Sequence, residues 1–356
     1  MNRISAKIVA DSTSQDKTQR LTTLEVVFPR YILAEVNTHR LFSRNSASSR
    51  AIPYKKMIKS VKNELFTPVA WQKDHSGMQG TEYFEGFRAS LNNLVWKGAS
   101  RLAILASKAL NKLGVTKQLA NRLLEPFLYH KVLVTSSEWT NFFELRCPRY
   151  EAVHYNKTFK SRKEFIEFYR TQNIGHDFES WSDLEWLKIN RGMGEIHIMD
   201  LAEKIYDALK TSTPHILEPG DWHIPYGEDI NLPPTIPIEE GLSLTEGVLL
   251  RKLKISVARC ARLSYQTLGD NPKIDYTADL RLFDTLFSSG HLSPFEHVAR
   301  LMTDDEYDAF TKGKLNIVNG ITGQEVMIND GISEGWCNNF RGFIQYRWLL
   351  ENKEKI

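Results

Sequence analysis

Cysteine is scarce in this 356-residue chain, and the three that occur, Cys147, Cys260 and Cys337, form no C-x-x-C pair. An odd, scattered set excludes a disulfide scaffold and fits a reducing cytosol. Long apolar runs are missing as well. No stretch of about 18 apolar residues occurs, and the opening MNRISAKIVADSTSQ has no apolar signal core, so the chain reads as cytosolic. Charge of one sign is also lacking: 46 Lys+Arg against 43 Asp+Glu give +3. A chain-wide electrostatic case for nucleic acid or membrane binding is therefore weak, any basic site must be local, and a nucleic-acid-binding module using the Arg/Ser span and the tail stays as an alternative that would need a wider basic face. The patterns G-x-x-x-x-G-K-[ST], G-x-S-x-G, G-x-G-x-x-G and H-E-x-x-H are absent, so the common nucleotide-binding and hydrolase folds gain no support. What remains is 42% hydrophobic and 25% charged, an ordinary globular composition long enough for one large domain or two smaller ones.

Periodicity predicts the elements. TTLEVVF (22–28) puts Leu24, Val26 and Phe28 on one side and Thr23, Glu25 and Val27 on the other, the period of a half-buried strand. Pro29 suits a first helical turn, so a short helix over about 30–40 is expected to deliver His39 and Arg40 at its end, with the serine-rich stretch following as a loop. Apolar residues at Phe84, Phe87, Leu91, Leu94, Val95, Leu102, Leu105, Ala109 and Leu113 recur mostly every three or four, predicting a long helix or helical pair over 81–113 that stops at Gly114. Thr135 and Glu138 have the form of a capping box that starts a helix through WTNFFELR. Residues 151–190 read as aromatic and charged surface helices, 227–247 as a Pro-rich acidic linker, 249–265 as a helix, and GHLSPFEH (290–297) as a turn into a new element. No internal repeat is present.

One span concentrates chemistry. NTHRLFSRNSASSRAIP (37–53) holds three arginines, one histidine and five small hydroxyl side chains without an acid. Guanidinium forks and close-approaching hydroxyls suit phosphate oxygens, although a solvated Ser/Arg loop has the same composition. His291 and His297, six residues apart, do not share a helical face and lack a third ligand, so no metal site is expected. On a helix, Asn141 and Arg146 point about 140° apart and suit two adjacent ligands rather than one. An ion pair of Arg146 with Glu144 or Glu151 is the structural alternative.

Spacing narrows the reading. His39-Arg40-x-x-Ser43-x-Asn45-x-x-Ser48-x-Arg50 resembles the R-H-R-x-x-S-x-N-x-x-S-x-R signature of the flavin-dependent thymidylate synthases. Six of the seven fixed positions match, Thr38 standing at the first. GHLSPFEH is similar to the family's G-H-x-[ST]-P-F-E-H turn, and NFFELR to its N-F-x-x-L-R helix. Arg122 in NRLLEPF resembles, more loosely, an arginine that reaches the substrate phosphate. The blocks stand in an unusual order: VARCARLSYQ (257–266) and GHLSPFEH come last, where most members have them first. The resemblance therefore implies a circularly permuted member, an order known among family members from viruses of bacteria, and permutation is tolerated where termini lie close together at the surface. The expected fold is α+β, a central antiparallel sheet flanked by helices with an inserted helical segment. One catalytic domain would comprise 1–236, with the insertion at about 151–190, together with the permuted segment 237–300. The tail 301–356 follows, read either as packing on another subunit or as a core helix.

The resemblance also implies the chemistry. Reductive methylation of dUMP to dTMP would take its carbon from methylenetetrahydrofolate and its hydride from FAD reduced by NADPH. Arg146 would stabilise charge on the uracil, an electrostatic role of the oxyanion-hole type. His39, Arg40, Asn141, His291, Ser293 and Glu296 would hold the flavin. Glu35, Ser46, Ser48, Ser49, Arg50, Arg122 and Arg146 would hold the nucleotide in a site between subunits of a homotetramer. Cys147, in R-C-P, is given no nucleophilic role. Thr38 and Glu35 depart from the family pattern, with Arg44 and Arg347 as candidates to replace the missing charge. Capture of the intermediate by water instead of hydride would give 5-hydroxymethyl-dUMP, and an inactive relative is the further alternative.

Overall fold

A computed structural model describes residues 3–49, 52–76, 80–172, 177–232, 242–264, 275–312, 316–318, 325–327 and 334–352. Its centre is a five-stranded sheet. Strands β1 (Ser5–Ser14) and β2 (Arg20–Pro29) form an antiparallel hairpin. After a 3-10 turn over Arg30–Ile32 and helix α1 (Leu33–Asn37), strand β3 (Ser43–Ser46) follows. Helices α2 (Tyr54–Asn63) and α3 (Gly86–Lys112) then lead to strand β4 (Tyr129–Ser136). The order is β3-β4-β2-β1 with the His215–Leu217 strand at the far edge, antiparallel except for that last pairing. The chain is thus a mixed α+β fold.

The alternation in β2 decides its two faces. Leu24, Val26 and Phe28 are fully buried and pack with Ile198, Leu201, Ala202 and Ile205 of the Ile196–Thr211 helix. Burying such side chains contributes about 1.5–3 kcal/mol each before entropy is counted. Behind the sheet, Leu133 of β4 packs with Cys260 and Leu263 of the Leu244–Ser264 helix. A three-stranded sheet, Phe343–Gln345 with Ala299–Leu301 and Trp222–His223, joins three segments distant in sequence. Among the described residues, no helix is long and apolar enough to cross a membrane.

Several expectations change. The serine-rich stretch is not all loop: Ser43–Ser46 pairs with β4, Ser43 opposite Thr135 and Ser46 opposite Val132, because β4 offers a free edge. Thr135 caps nothing. It lies inside β4, and the following helix starts at Thr140, whose N–H donates to Glu138 Oε1 at 3.2 Å. Residues 151–190 are more than surface helices. Tyr150, Phe165, Phe178 and Trp186 bury one another in a small aromatic core, with a two-stranded ribbon, Tyr150–Ala152 on Lys157–Phe159. α3 is one helix ending as expected before Gly114, at φ +85°, but its apolar stripe faces outward. Phe87 is 81% exposed, Leu94 62%, Leu102 68% and Leu105 61%, while Ser100, Ile104 and Ser107 face inward. In the tail, Phe340, Phe343, Ile344 and Tyr346 are buried within this same chain. The linker falls partly, and Arg50 and Tyr265 wholly, outside the described residues.

Candidate active site

α1 ends at Asn37, and the turn after it places His39 beneath the Thr140–Arg146 helix. His39 is buried, stacked on Phe42 and meeting Phe142 edge-on with centroids 4.8 Å apart. Arg146 donates from Nε to His39 Nε2 at 3.2 Å. Since Nε2 accepts, the ring proton sits on Nδ1. Burial, then the guanidinium groups of Arg146 and Arg44, push the His39 pKa down to about 4, so the imidazole is neutral at physiological pH. Arg44 fastens the same turn by donating to the carbonyls of Val36 at 3.1 Å and His39 at 3.2 Å. The expected alternative for Arg146 is not formed: Glu144 pairs with Lys160 instead.

The 290–297 turn arrives from the other side. Gly290, at φ +70°, takes the left-handed conformation that ends the Tyr276–Ser288 helix, and a 3-10 turn over Ser293–Glu296 follows. Glu296 accepts from Arg347 at 2.8 Å and lies near enough to Arg44 to favour its charged form. Arg347 also donates to Glu351 at 3.0 Å. Arg40, Asn141, His291 and Ser293 are exposed, and none of these four side chains has a partner among the described residues. Phe42, Trp139 and Phe142 lie beneath, with Trp139 Nε1 buried and unbonded.

Residues of the tail complete this region, and sequence reading missed them. Ser43 Oγ accepts from Asn339 Nδ2 at 3.0 Å and from Gln345 Nε2 at 3.2 Å, while Asn339 also donates to the Leu41 carbonyl at 3.2 Å. Gln345 is 1% exposed, so its amide is committed to this contact. The aromatic pattern of WCNNFRGFIQYRWLLE signalled packing, but nothing in it pointed to residues almost 300 positions earlier. Asn45 likewise donates to the Cys260 carbonyl at 2.7 Å, tying β3 to the helix that carries VARCARLS.

The remaining expected residues gather elsewhere. Asn121 Nδ2 donates to the carbonyls of Ser49 at 2.8 Å and Ile52 at 3.0 Å, holding that loop against the 3-10 turn over Asn121–Phe127. Ser49 is buried with its hydroxyl unbonded, and Ser46 and Ser48 are half-buried. Arg122 donates to Glu125 at 2.9 Å, which Arg30 also contacts at 3.2 Å. A cavity of about 440 Å³ opens there, lined by Arg30, Tyr31, Ala34, Asn37, Arg122 and Glu125. Glu35 lies on α1 with one carboxylate oxygen buried and unbonded. Ser43 sits opposite Thr135, whereas Arg30 bonds the Leu128 carbonyl at the other end of β4. Within one chain His39 meets Arg146, Arg44 links the His39 turn to the neighbourhood of Glu296, and Asn37, two residues before His39, lines the same cavity as Arg122.

Cys147 is buried, and that burial pushes its thiol pKa up, the opposite of a poised nucleophile. His297 is fully buried against Thr135, whereas His291 is exposed, so the two histidines face different surroundings. No protein-family model and no curated protein matches the chain. Among solved structures it is similar to the UMP/dUMP methylase PolB from Streptomyces cacaoi. The form bound with 5-Br UMP shows 13% identity and a TM-score of 0.38 over 59% of this chain and 89% of that one. The form bound with 5-Br dUMP shows 13% identity and a TM-score of 0.34 over 53% and 92%.

Proposed function

We propose that this chain is a circularly permuted flavin-dependent thymidylate synthase, converting dUMP to dTMP with methylenetetrahydrofolate as carbon donor. One observation carries the reading. Three blocks far apart in sequence meet in space: the Ser43–Ser46 strand, the Leu244–Ser264 helix bonded to it through Asn45, and the Ser293–Glu296 turn beside Thr135 and Arg44. A chance motif match has no reason to bring its separate pieces together.

The residues present fit a flavin. Arg40, Asn141, His291 and Ser293 are exposed and unpartnered among the described residues, and Trp139 Nε1, buried in the aromatic cluster with Phe42 and Phe142, is unpartnered among them too. An extended polar-edged ring system with a phosphate tail can use such a set. Bound there, FAD reduced by NADPH would supply hydride. The protein supplies charge and orientation. Neutral His39 accepts from Arg146 Nε without adding a second positive charge, which fixes the guanidinium plane and leaves its two terminal nitrogens to face the uracil. There they stabilise negative charge developing at N3 and O2. Arg347 on Glu296 and Arg44 on the His39 turn keep these elements in register.

Ser48, Ser49, Arg50 and Arg122 would take the nucleotide phosphate, with Glu35 and Ser46 nearby. The reading takes the site to be shared between copies, as in a homotetramer, one copy's phosphate cluster meeting another's flavin edge. The exposed stripe on α3, with open space beside Gly98 at its middle, supports self-association through that helix. The phosphate cluster and the flavin edge would belong to one catalytic domain spanning 1–300, the tail bracing it.

The test is a mass spectrum of the nucleotide after incubating the protein with dUMP, methylenetetrahydrofolate, FAD and NADPH. A methyl-sized gain that disappears when FAD is omitted from stripped protein is expected. A hydroxymethyl-sized gain would replace the proposed product with 5-hydroxymethyl-dUMP, and unchanged dUMP would overturn the reading.

A further inference from the structure

A line of buried hydrogen bonds crosses the sheet, and the chemistry proposed above does not use it. Ser12 Oγ lies 2.8 Å from His223 Nδ1, and His223 Nε2 lies 2.8 Å from Thr23 Oγ1. Thr23 Oγ1 lies 2.7 Å from Thr135 Oγ1, which lies 2.8 Å from His297 Nδ1. All five residues are buried, both histidines and both threonines completely. At one end, Ser12 lines a cavity of about 280 Å³ with Asp11, Trp222, Glu228 and Lys252. At the other, His297 follows Glu296 of the candidate site, and its Nε2 is buried with no partner among the described residues.

Counting protons constrains this line. Each threonine hydroxyl touches two partners and has one proton, so it donates one way and accepts the other. The two imidazoles do not touch, yet both must be Nδ1–H or both Nε2–H. An unbonded buried N–H is rarer and costlier than an unbonded lone pair, which favours the Nδ1–H arrangement and leaves His297 Nε2 as a bare lone pair.

We propose that Ser12, His223, Thr23, Thr135 and His297 form a proton relay from the root of the Ser293–Glu296 turn to the Ser12 cavity. The step balances. A proton taken up at His297 Nε2 displaces the Nδ1 proton onto Thr135, whose proton passes to Thr23, whose proton passes to His223 Nε2. The His223 Nδ1 proton passes to Ser12, and the Ser12 proton leaves to water. One proton enters, one leaves, and both rings reverse tautomer together. The relay is a property of the folded chain and stands independently of which reaction the site performs.

The experiment needs no turnover. Long-range proton–nitrogen NMR spectra of the full chain labelled with ¹⁵N-histidine, with His223→Gln and His297→Gln as assignment controls, identify each tautomer. Both rings are expected as the Nδ1–H form. In Thr135→Val the His297 ring loses that preference, whereas Thr135→Ser restores it. In Thr23→Val, which removes a hydroxyl that does not touch His297, exchange of the His297 ring proton with water slows by about tenfold. Opposite tautomers in the native chain, or unchanged exchange in Thr23→Val, would overturn the relay.

Discussion

Lowering the pH from 7.5 to 5.5 destabilises this protein by an amount set by five buried groups. Burial holds His39 and His223 at a pKa of about 4 and His130 and His297 at about 3, against an ordinary 6.5. Nearby positive charge adds to the effect for His39 through Arg146 and Arg44 and for His130 through Arg30, a protonated His223 would add to it for His297, and Asp11 opposes it for His223. The unfolded chain therefore binds protons through this range while the folded one does not, and stability present above pH 6.5 is lost as the pH falls. Each histidine loses about 1.3 kcal/mol by pH 5.5, about 5 kcal/mol for the four. Glu203 works the other way. Burial raises its carboxyl to about 7, so the folded state takes up its proton first and regains about 2 kcal/mol over the same range. The net loss is about 3 kcal/mol, and Glu203→Gln, which removes the offset, deepens the loss to about 5. Urea unfolding at stepped pH reads both numbers. A stability that stays flat in Glu203→Gln between pH 7.5 and 5.5 refutes the reasoning, because neutral buried imidazoles would then be carrying no cost.

Other outcomes follow from single contacts. Arg146→Ala lowers turnover by about 10²–10³-fold, and in the free protein the His39 pKa rises because a flanking positive charge is gone; steady-state kinetics and an NMR titration check the two effects. Gln345→Ala leaves Ser43 short of a donor and opens a buried gap, costing about 1–3 kcal/mol in chemical denaturation although residue 345 lies outside the matched motifs. Arg44→Ala with Arg347→Ala releases the His39 turn and Glu296 together and is expected to lower FAD retained through gel filtration; unchanged FAD content would remove both arginines from the site. Leu94→Glu with Leu105→Glu alters only exposed positions, so it should reduce the sedimenting mass without lowering the thermal midpoint. An unchanged mass would free α3 of any role in assembly.

The sequence by itself determined what short-range physics dictates. The alternation in 22–28 specified a two-faced strand, Pro29 a short helix leading to His39, which in the fold is a 3-10 turn and a helix ending at Asn37, and Gly114 a helix stop. Motif spacing singled out His39, Arg146 and Glu296 before any geometry was known. It failed where a distant partner decides. Ser43–Ser46 has the composition of a loop and becomes a strand because the edge of β4 is open to it. Thr135 has the spacing of a cap but lies in a strand, its hydroxyl shared by Thr23 and His297. The outward stripe of α3 reads in sequence like a core-facing one, since periodicity shows that a helix has two faces and not which is covered. Only the tertiary structure put Asn339 and Gln345 on Ser43, set Arg146 on His39, and strung two histidines across the sheet. Those contacts join residues hundreds of positions apart, and local preference carries no information about which distant surfaces will meet.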